Sequence, residues 1–232
     1  MYPLTENYPK PLLDIKGKAL IDYLIDDLEN NKVIEEYIIV SNHKFINHFN
    51  EWKNKRKENI IILDDGSTNN DNRLGAVKDI WFAIEEANVN DDILVLAGDN
   101  LLDFSLKGFI DFSNEKNDNA VMRYYESELA RLQRTGVAVI DSNDKILEMA
   151  EKPKQPNSNW AIPPFYIFKK ECLNEIKIGI DSGCKTDAPG GFIEWFSKRN
   201  EVYAYLMPGK RIDIGNLDIY YKIKKWKNLL YN

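Results

Sequence analysis

Three runs of aliphatic and β-branched residues, separated by helical patterns, constrain the fold more than any other feature of this sequence. The runs are EYIIVS at 36–41, NIIIL at 59–63 and DILVLA at 92–97. Apolar residues spaced for one helical face predict helices before and between them, at 18–30, 44–57 and 74–87. Continuous apolar strands of this kind are typical of parallel sheets covered on both faces. The alternation therefore predicts an α/β fold with a doubly wound, mixed but mainly parallel sheet.

The second half of the chain has shorter strands and predicts a small antiparallel extension. Strands are predicted at 120–125, 135–141, 145–149, 162–168 and 202–207, and helices at 104–114, 169–176, 190–199 and 216–230. The turn sequence DSND at 141–144 predicts a hairpin between two of these strands. We expect one domain over residues 1–232.

Composition excludes several classes of protein. The formal net charge of −6 argues against a nucleic-acid coat protein. Two cysteines, with no basic and apolar leader at the start, favour a reducing cytoplasm. No apolar run approaches the ~20 residues of a membrane span. We therefore expect a cytoplasmic protein that binds neither nucleic acid nor membrane.

Two separated aspartates are candidate metal ligands. Asp99 lies near the end of DILVLAGDN, just after the apolar run and thus at the carboxyl end of a predicted strand, where open α/β sheets bind ligands. Gly98 allows the backbone to turn closely there. Asp213 lies in RIDIG, and the two carboxylates together suit one Mg²⁺ that offsets the charge of phosphates. The structural alternatives are caps, Asp99 for a helix near Phe104 and Asp213 for a helix near Asn216.

Three further polar residues suit a phosphate or a polyhydroxyl ligand. Lys10 stands between two prolines, whose rings restrict the loop and hold the ammonium in place. Glu151 accepts hydrogen bonds from hydroxyl groups, and Lys152 pairs with a phosphate. A solvated surface lysine is the alternative for Lys10. A solvated ion pair is the simpler explanation of Glu151 and Lys152 taken alone.

Small residues mark two places where a ligand can come close to the backbone. Leu74 and Gly75 begin a predicted helix after a polar loop, where a flat base can approach and a helix N-terminus favours an anion. Simple helix initiation is the alternative. Gly136 allows a ligand to approach a strand, or else marks a bulge.

Taken in order, these segments resemble the sugar-1-phosphate nucleotidyltransferase family, of which glucose-1-phosphate thymidylyltransferases and uridylyltransferases are typical members. The matching segments are YPLTENYPKPLLDIKGKALIDYLID, RLGAVKDI, LVLAGDN, RTGVAVID, EKP and RIDIGNLDIYYK. They span nearly the whole chain, and their order is far more specific than any one segment. The resemblance implies a Rossmann-like nucleotidyltransferase fold, with a nucleotide-binding part over 1–118 and a sugar-phosphate-binding part over 119–232.

The resemblance also implies a reaction and residue roles. The family joins a nucleoside triphosphate to a sugar 1-phosphate with Mg²⁺ and releases pyrophosphate, and catalysis rests on positioning and charge neutralisation. Asp99 and Asp213 are similar to its Mg²⁺-binding aspartates, and Lys10 to its phosphate-contacting lysine. The substrate contacts are Leu74 and Gly75 at the base, Gly136, Glu151 and Lys152 at the sugar 1-phosphate, and Gly98 beside Asp99.

The sequence departs from the family at its start. Family members have a buried strand and a Gly-rich loop ending in Arg directly before the PLT segment, and this sequence begins just after that point. The first strand of a doubly wound sheet is central, so we expect two exposed strand edges. We interpret this as a late gene start or a truncated product, and expect very low transferase activity that the upstream codons restore.

Two further departures concern the sugar and the end of the chain. The segment NWAIPPFYIF replaces small residues and a Gly of the family. Pro163 and Pro164 stiffen this point, and we expect Trp160 to close over the sugar. The sequence has no β-helix acyltransferase repeat after the last predicted helix, so we expect a single transferase domain.

Other functions remain open at this point. The missing loop and Arg favour a non-catalytic nucleotide-sugar-binding or regulatory protein on the same fold. The retained carboxylates and lysines favour the enzyme. A cytidylyltransferase for a non-sugar phosphate such as phosphocholine is a third alternative, against which EKP argues. The sequence leaves open the base, the sugar and the oligomeric state, a homo-oligomer included.

Overall fold

The computed structural model describes residues 1–69 and 71–225. Its helices are α1 (Asp22–Asn31), α2 (Ile46–Lys53), α3 (Ala76–Glu86), α4 (Lys107–Lys116), α5 (Leu129–Leu132), α6 (Asn174–Asp181), α7 (Pro189–Phe196) and α8 (Leu217–Lys225). Its strands are β1 (Asp14–Ile15), β2 (Lys18–Ala19), β3 (Tyr37–Ser41), β4 (Ile60–Asp64), β5 (Ile93–Leu96), β6 (Asn100–Leu102), β7 (Asn119–Tyr125), β8 (Gly136–Ile140), β9 (Ile146–Glu151), β10 (Trp160–Ile162), β11 (Phe165–Phe168), β12 (Val202–Leu206) and β13 (Arg211–Asp213). Short 3-10 turns lie at Lys10–Leu12, His43–Phe45 and Lys170–Cys172. The predicted α/β class is confirmed.

The chain divides into two compact units whose segments interleave. The first unit comprises Met1–Arg73, Ala97–Lys107 and Pro208–Asn232, and the second comprises Leu74–Leu96 and Gly108–Met207. Each unit has its own clusters of buried apolar side chains. The predicted division into a nucleotide-binding part over 1–118 and a sugar-phosphate-binding part over 119–232 stays a prediction.

In the first unit, a tight hairpin delays the first helix. Lys16 and Gly17, between β1 and β2, have φ of 54° and 87°. Two positive φ values in succession give a two-residue turn whose twist matches the flanking strands. The helix predicted from residue 18 therefore begins at Asp22, because residues 18 and 19 belong to β2.

The parallel pair β3–β4 has one open edge. Its register runs from Tyr37 opposite Ile60 to Ser41 opposite Asp64. Among the residues that the structure describes, no strand pairs with the other edge of β3. In the second unit β5 is likewise paired on one side, with β11. Each of these two strands therefore has one edge that no described strand pairs, and the loss of a first strand expected from the sequence stays a prediction.

The sheet of the second unit is mostly antiparallel, so the prediction of a mainly parallel sheet is wrong. Its order is β5-β11-β7-β10-β8-β9, and β12 lies parallel to β7. Across the described strands, the only other parallel pair is β3–β4 in the first unit. The run at 92–97 looked parallel because it is continuously apolar, yet β5 pairs antiparallel with β11. Pairing across a sheet depends on the connections, which apolar runs do not encode. The hairpin predicted around 141–144 is confirmed, since β8 and β9 pair antiparallel.

Two prolines divide the strand predicted at 162–168. Pro163 and Pro164 have no N–H to donate to a ladder, so β10 ends before them and β11 begins after them. Both strands pair antiparallel with β7, with a shifted register. On their other side β10 pairs with β8, whereas β11 pairs with β5. The prolines therefore mark the point where the strand beside β7 changes its other neighbour from β8 to β5.

Several predicted helix limits shift. Helix α4 begins at Lys107 rather than near Phe104, because the Leu106 N–H donates to Asp27 Oδ2 (2.8 Å) and holds the preceding segment outside the helix. Helix α6 lies later than the predicted 169–176, after a 3-10 turn. The end of the helix predicted at 216–230 lies outside the described residues. No helix in the described part of the chain is both long and apolar enough to cross a membrane.

An arginine network ties α1 to the segment between α2 and β4 in the first unit. Arg56 contacts three carboxylates, Asp22 Oδ1 at 3.0 Å, Asp26 Oδ1 at 3.0 Å and Glu58 Oε2 at 2.8 Å. Its side chain is 14% exposed. Burial opposes ionisation of Asp26, but hydrogen bonds from Lys18 and Arg56 outweigh it and hold the pKa of Asp26 below its ordinary value.

We predict that Arg56→Ala lowers the free energy of unfolding by about 2–3 kcal/mol, because it leaves partly buried carboxylates without their cation. Lys177→Ala, at an exposed lysine paired with the exposed Asp181, should cost far less, because exposed ion pairs contribute little. A carboxyl group whose pKa is lowered by folding stabilises the folded state at pH values above its unfolded pKa. That stabilisation is lost as the pH falls through the folded pKa. The Arg56 effect should therefore shrink below about pH 4. Urea unfolding measures both variants, and equal losses would contradict the network's role.

Candidate active site

A lysine and two aspartates converge in the first unit. Lys10 Nζ lies 2.6 Å from Asp99 Oδ2 and 3.5 Å from Asp213 Oδ1. Lys10 opens a 3-10 turn directly after Pro9, with its side chain 23% exposed. Asp99 precedes β6 and Asp213 ends β13, and these two strands pair antiparallel with Asp213 opposite Asn100. The strand pair therefore brings together two carboxylates that are far apart along the chain.

Neither aspartate serves as the helix cap that was its structural alternative. The helix after Asp99 begins at Lys107, whose N–H donates to Ser105 Oγ at 3.2 Å. At the last helix, the Ile219 N–H donates to Asn216 Oδ1 (2.9 Å), so Asn216 is the cap. Both carboxylates are therefore available to interact with Lys10.

Asn100 orients Asp99, a role that the sequence analysis missed. Asn100 is buried, and its Nδ2 donates to Asp99 Oδ1 at 2.8 Å. Its Oδ1 accepts a hydrogen bond from Arg211 Nη1 at 2.7 Å. The available signal was an amide residue directly after the aspartate of LAGDN. Beneath the cluster, Leu101 and Ile214 are fully buried and anchor both strands.

The donor set of this cluster fits Mg²⁺. The Asp99 and Asp213 carboxylates both face one cationic group, the Lys10 ammonium, which shows that their oxygens point at a common place. Within residues 1–69 and 71–225 there is no group of three or more His, Cys, Asp or Glu residues placed to hold a metal ion. Mg²⁺ is commonly held by one or two carboxylates, with water and substrate phosphates completing its octahedron. Two aspartates match that requirement.

The glycines near the predicted base and metal sites differ in what they do. Gly75 has φ of 93°, and a Cβ there would lie 2.9 Å from the Thr186 carbonyl oxygen, so the backbone itself requires glycine. It directly precedes α3, which begins two residues later than the predicted residue 74, and Leu74 beside it is half-buried. At Gly98 a Cβ would make ordinary contacts of 3.6 Å with Ile21 and Pro11. The chain does turn at Gly98, but these contacts show that the turn does not require glycine. Their contacts with a ligand stay predictions.

In the second unit, Gly136 and Glu151 face each other across β8 and β9. They are paired in register, and Ile162 of β10 lies opposite Gly136 on the other side. A Cβ on Gly136 would lie 2.7 Å from Met149 Cε and 3.3 Å from Glu151 Oε2. The bulge considered for Gly136 lies instead between Val139 and Ile140. Gly136 thus leaves space above the strand for the Glu151 carboxylate, close to the proline break.

Glu151 is a buried carboxylate, not half of a solvated pair. Its side chain is 9% exposed and lies 3.5 Å from Lys152 Nζ. Burial raises the pKa of Glu151, while the Lys152 and Lys185 ammonium groups lower it and Glu194 raises it further. Lys152 is 53% exposed and has φ of 51°, a conformation that few non-glycine residues adopt. Its N–H donates to the Thr135 carbonyl at 3.1 Å.

Two neighbours of Glu151 escaped the sequence analysis. Gly190, near the start of α7, has no side chain, and a Cβ there would lie 2.0 Å from Glu151 Oε2. Lys185 lies in the segment before α7 and acts on Glu151 electrostatically. The glycine pair at a helix start was a visible signal, because glycine is a poor helix former.

Trp160 lies farther from this cluster than expected. Trp160 pairs with Ala138 of β8 and Tyr125 of β7. It lies two residues along β10 from Ile162, the residue opposite Gly136, which is a distance of roughly 7 Å. The Arg123 guanidinium lies 4.7 Å from its ring centre, and the Tyr125 ring packs edge-on at 5.7 Å. The ring is thus engaged by protein groups, and its closure over a sugar stays a prediction.

Comparison with known proteins decides the family. The model of the family described as nucleotidyl transferase matches residues 1–227. The chain belongs to the nucleotidyl transferase family.

Relatives of this nucleotidyl transferase are named for different nucleotidyl groups, guanylyl in a putative mannose-1-phosphate guanyltransferase of Sulfolobus acidocaldarius and adenylyl in glucose-1-phosphate adenylyltransferases. Glucose-1-phosphate adenylyltransferase of Fervidobacterium nodosum is 28% identical over 240 aligned residues, covering 94% of the chain and 56% of the relative. The bifunctional protein GlmU of Methanococcus aeolicus is 32% identical over 179 residues, covering 75% and 38%. The chain spans about half the length of the curated relatives it matches.

Solved structures confirm the predicted fold of the nucleotidyl transferase. The structure of apo UDP-glucose pyrophosphorylase aligns with a TM-score of 0.80 and 20% identity, covering 97% of this chain and 92% of the other. At this identity the likeness concerns the fold, which is the Rossmann-like α/β arrangement expected from the sequence.

We predict that Glu151→Gln stabilises this nucleotidyl transferase at neutral pH. Because the pKa of Glu151 is raised, the folded state holds its proton more tightly than the unfolded state does. That stabilisation is complete below the unfolded pKa of about 4.3 and is lost as pH rises through the folded pKa. At about pH 7.5 the amide should raise the free energy of unfolding by about 1 kcal/mol, and near pH 4 the difference should vanish.

Urea unfolding at several pH values checks this. Glu148→Gln, at an exposed position on the same strand, is the matched control and should change nothing. A loss of stability in Glu151→Gln at neutral pH would contradict the assignment of a costly buried charge.

Proposed function

We propose that this protein joins a nucleoside triphosphate to a sugar 1-phosphate and releases pyrophosphate. The observation that carries the proposal is the convergence of Asp99 and Asp213 on Lys10. A protein that merely bound a nucleotide sugar would have less need of two carboxylates directed at one cation. Membership of the nucleotidyl transferase family, and relatives named for glucose-1-phosphate adenylyl transfer, support the same reading.

The cluster of the first unit suits the triphosphate. Asp99 and Asp213 would hold Mg²⁺, which when bound offsets the negative charge of the phosphates. Lys10 places a positive charge beside them, on a turn that follows a proline and is therefore restricted in φ. Asn100 keeps the Asp99 carboxylate oriented through its 2.8 Å hydrogen bond. The chemistry requires no protein nucleophile, since positioning and charge neutralisation suffice for phosphoryl-group transfer.

The cluster of the second unit suits the sugar 1-phosphate. Glu151 is acceptor-only when ionised, which matches sugar hydroxyl donors. Lys152 is exposed enough to reach a phosphate, and its positive φ directs the chain away from the strand directly after Glu151. Gly136 has no side chain beside the Glu151 carboxylate, and a Cβ there would lie 3.3 Å from Glu151 Oε2. We assign the sugar contacts to these three residues.

The finer proposal is transfer of a thymidylyl or uridylyl group. Leu74 and Gly75 would form part of the wall around the base, Gly98 would adjoin the nucleotide beside Asp99, and Trp160 would bound the sugar. The adenylyl-transferring relatives make adenine the main competitor, and a cytidylyl transfer to a non-sugar phosphate is a further one. Discrimination between bases depends on hydrogen bonds to base edges.

Calorimetric binding of dTTP, UTP, CTP, GTP and ATP to the 232-residue chain, with and without Mg²⁺, tests the metal assignment. We expect Mg²⁺ to tighten binding of the preferred nucleotide at least about tenfold, about 1.4 kcal/mol. Asp99→Asn and Asp213→Asn should each abolish that gain. Asp218→Asn, an exposed aspartate in the first turn of α8, is the matched control and should retain it. A gain that survives both substitutions overturns the assignment.

Pyrophosphate release with glucose 1-phosphate, followed over long incubations, tests the reaction. Slow release that depends on Mg²⁺ and on both aspartates supports a transferase. Binding of both ligands with no release above the uncatalysed rate overturns it in favour of a binding protein. The same assay with phosphocholine in place of the sugar phosphate identifies the non-sugar alternative.

A further inference from the structure

Helix α7 of the second unit presents two residues, one turn apart, to the end of β9. Gly190 and Glu194 are separated by four positions and therefore lie on the same face of the helix. Both meet Glu151, and neither belongs to the motifs by which the chain resembles its family. The contacts differ in kind, since one residue holds the backbone and the other leaves space for the side chain.

Glu194 holds the backbone of Glu151. The Glu151 N–H donates to Glu194 Oε2 at 3.0 Å. Glu151 is the last residue of β9, and the next residue turns out of the strand with a positive φ. The Glu194 carboxylate therefore holds the backbone of β9 at the residue where the strand ends. Its other oxygen lies 3.8 Å from Lys198 Nζ, an exposed partner four residues later.

Gly190 leaves space for the carboxylate of the same residue. A Cβ at this position would lie 2.0 Å from Glu151 Oε2 and 2.8 Å from its Cδ. The three nearest atoms are all in the Glu151 carboxyl group. An added methyl group would therefore displace the flexible end of one side chain and leave the backbone in place. Alanine is also the better helix former, so the helix tolerates the change.

We propose that Gly190 and Glu194 are positioning residues for Glu151: the Glu194 carboxylate fixes its backbone N–H, and the bare Cα of Gly190 admits its carboxylate against α7. The importance of this placement for ligand binding rests on the proposed function, in which Glu151 receives sugar hydroxyls. The placement itself does not, because it concerns contacts within the free protein.

The two residues affect Glu151 in separable ways. Glu194 supplies a hydrogen-bond acceptor and a negative charge, and glutamine keeps the first while removing the second. The charged groups that act on Glu151 are Lys152, Lys185 and Glu194. Removing the Glu194 charge should lower the pKa of Glu151, since a like charge opposes ionisation. Binding that needs ionised Glu151 should then persist to lower pH.

Carbon-detected NMR titration of the Glu151 carboxyl group tests the placement without any ligand. Glu194→Gln should shift its titration to lower pH and leave the Glu151 amide resonance close to that of the parent. Glu194→Ala should move that amide resonance, because the acceptor is gone. Gly190→Ala should bring the titration toward that of an exposed glutamate. Glu148→Gln, on the same strand, should alter none of these. A Gly190→Ala variant whose Glu151 titrates as in the parent overturns the proposal.

Calorimetry with glucose 1-phosphate tests the consequence for binding. Gly190→Ala and Glu194→Ala should weaken its binding at least about tenfold, with nucleotide binding unchanged, whereas Glu194→Gln should bind normally at about pH 8. Equal losses in Glu194→Gln and Glu194→Ala would reject the hydrogen-bond role. If the NMR changes occur but the parent binds no sugar phosphate, the positioning stands and the proposed function fails.

Discussion

The arrangement of the first unit depends on the electrostatic requirement that two close carboxylates share a cation. Asp99 and Asp213 satisfy it through one ammonium group, that of Lys10. The β6–β13 ladder makes this possible, because it places residues more than a hundred positions apart on neighbouring rungs. Buried apolar side chains pack against both strands and hold the ladder in place, and the position of the charged cluster depends on that packing. A divalent cation can satisfy the same requirement with greater charge.

The second unit meets a different physical constraint, because it accommodates the buried carboxylate of Glu151. Glu151 ends β9 opposite Gly136 of β8, and the other neighbour of Gly136 is Ile162, the last residue of β10 before the Pro163–Pro164 break. Two glycines, Gly136 and Gly190, make room for Glu151 on either side. Burial raises its pKa, and nearby lysines offset part of that cost. The site thus combines the strand break, the two glycines and the charges of nearby lysines, and none of these alone would place the Glu151 carboxylate.

Much of the fold and the charged residues were predictable from the sequence, since apolar runs define strands and carboxylates at strand ends stand out. Lys10, Asp99 and Asp213 were found this way and lie together. Strand direction was not predictable, because continuous apolar runs occur in buried strands of either orientation, and β5 is antiparallel. Asn100 and Glu194 were missed because their roles arise from hydrogen bonds that exist only after distant segments pair. Gly190 acts through the lack of a side chain; the glycine pair at the helix start was visible in the sequence, but its contact with Glu151 was not.

The edge of β3 that no described strand pairs has a consequence for the behaviour of the protein in solution. Its central residues, Ile38, Ile39 and Val40, are half-exposed and include neither a charge nor a proline, the features that usually discourage edge-to-edge pairing. Unsatisfied backbone donors and acceptors along such a strand act as a template for other chains. Self-association should therefore increase with concentration and begin at this strand, which makes it the natural place for a solubilising lysine.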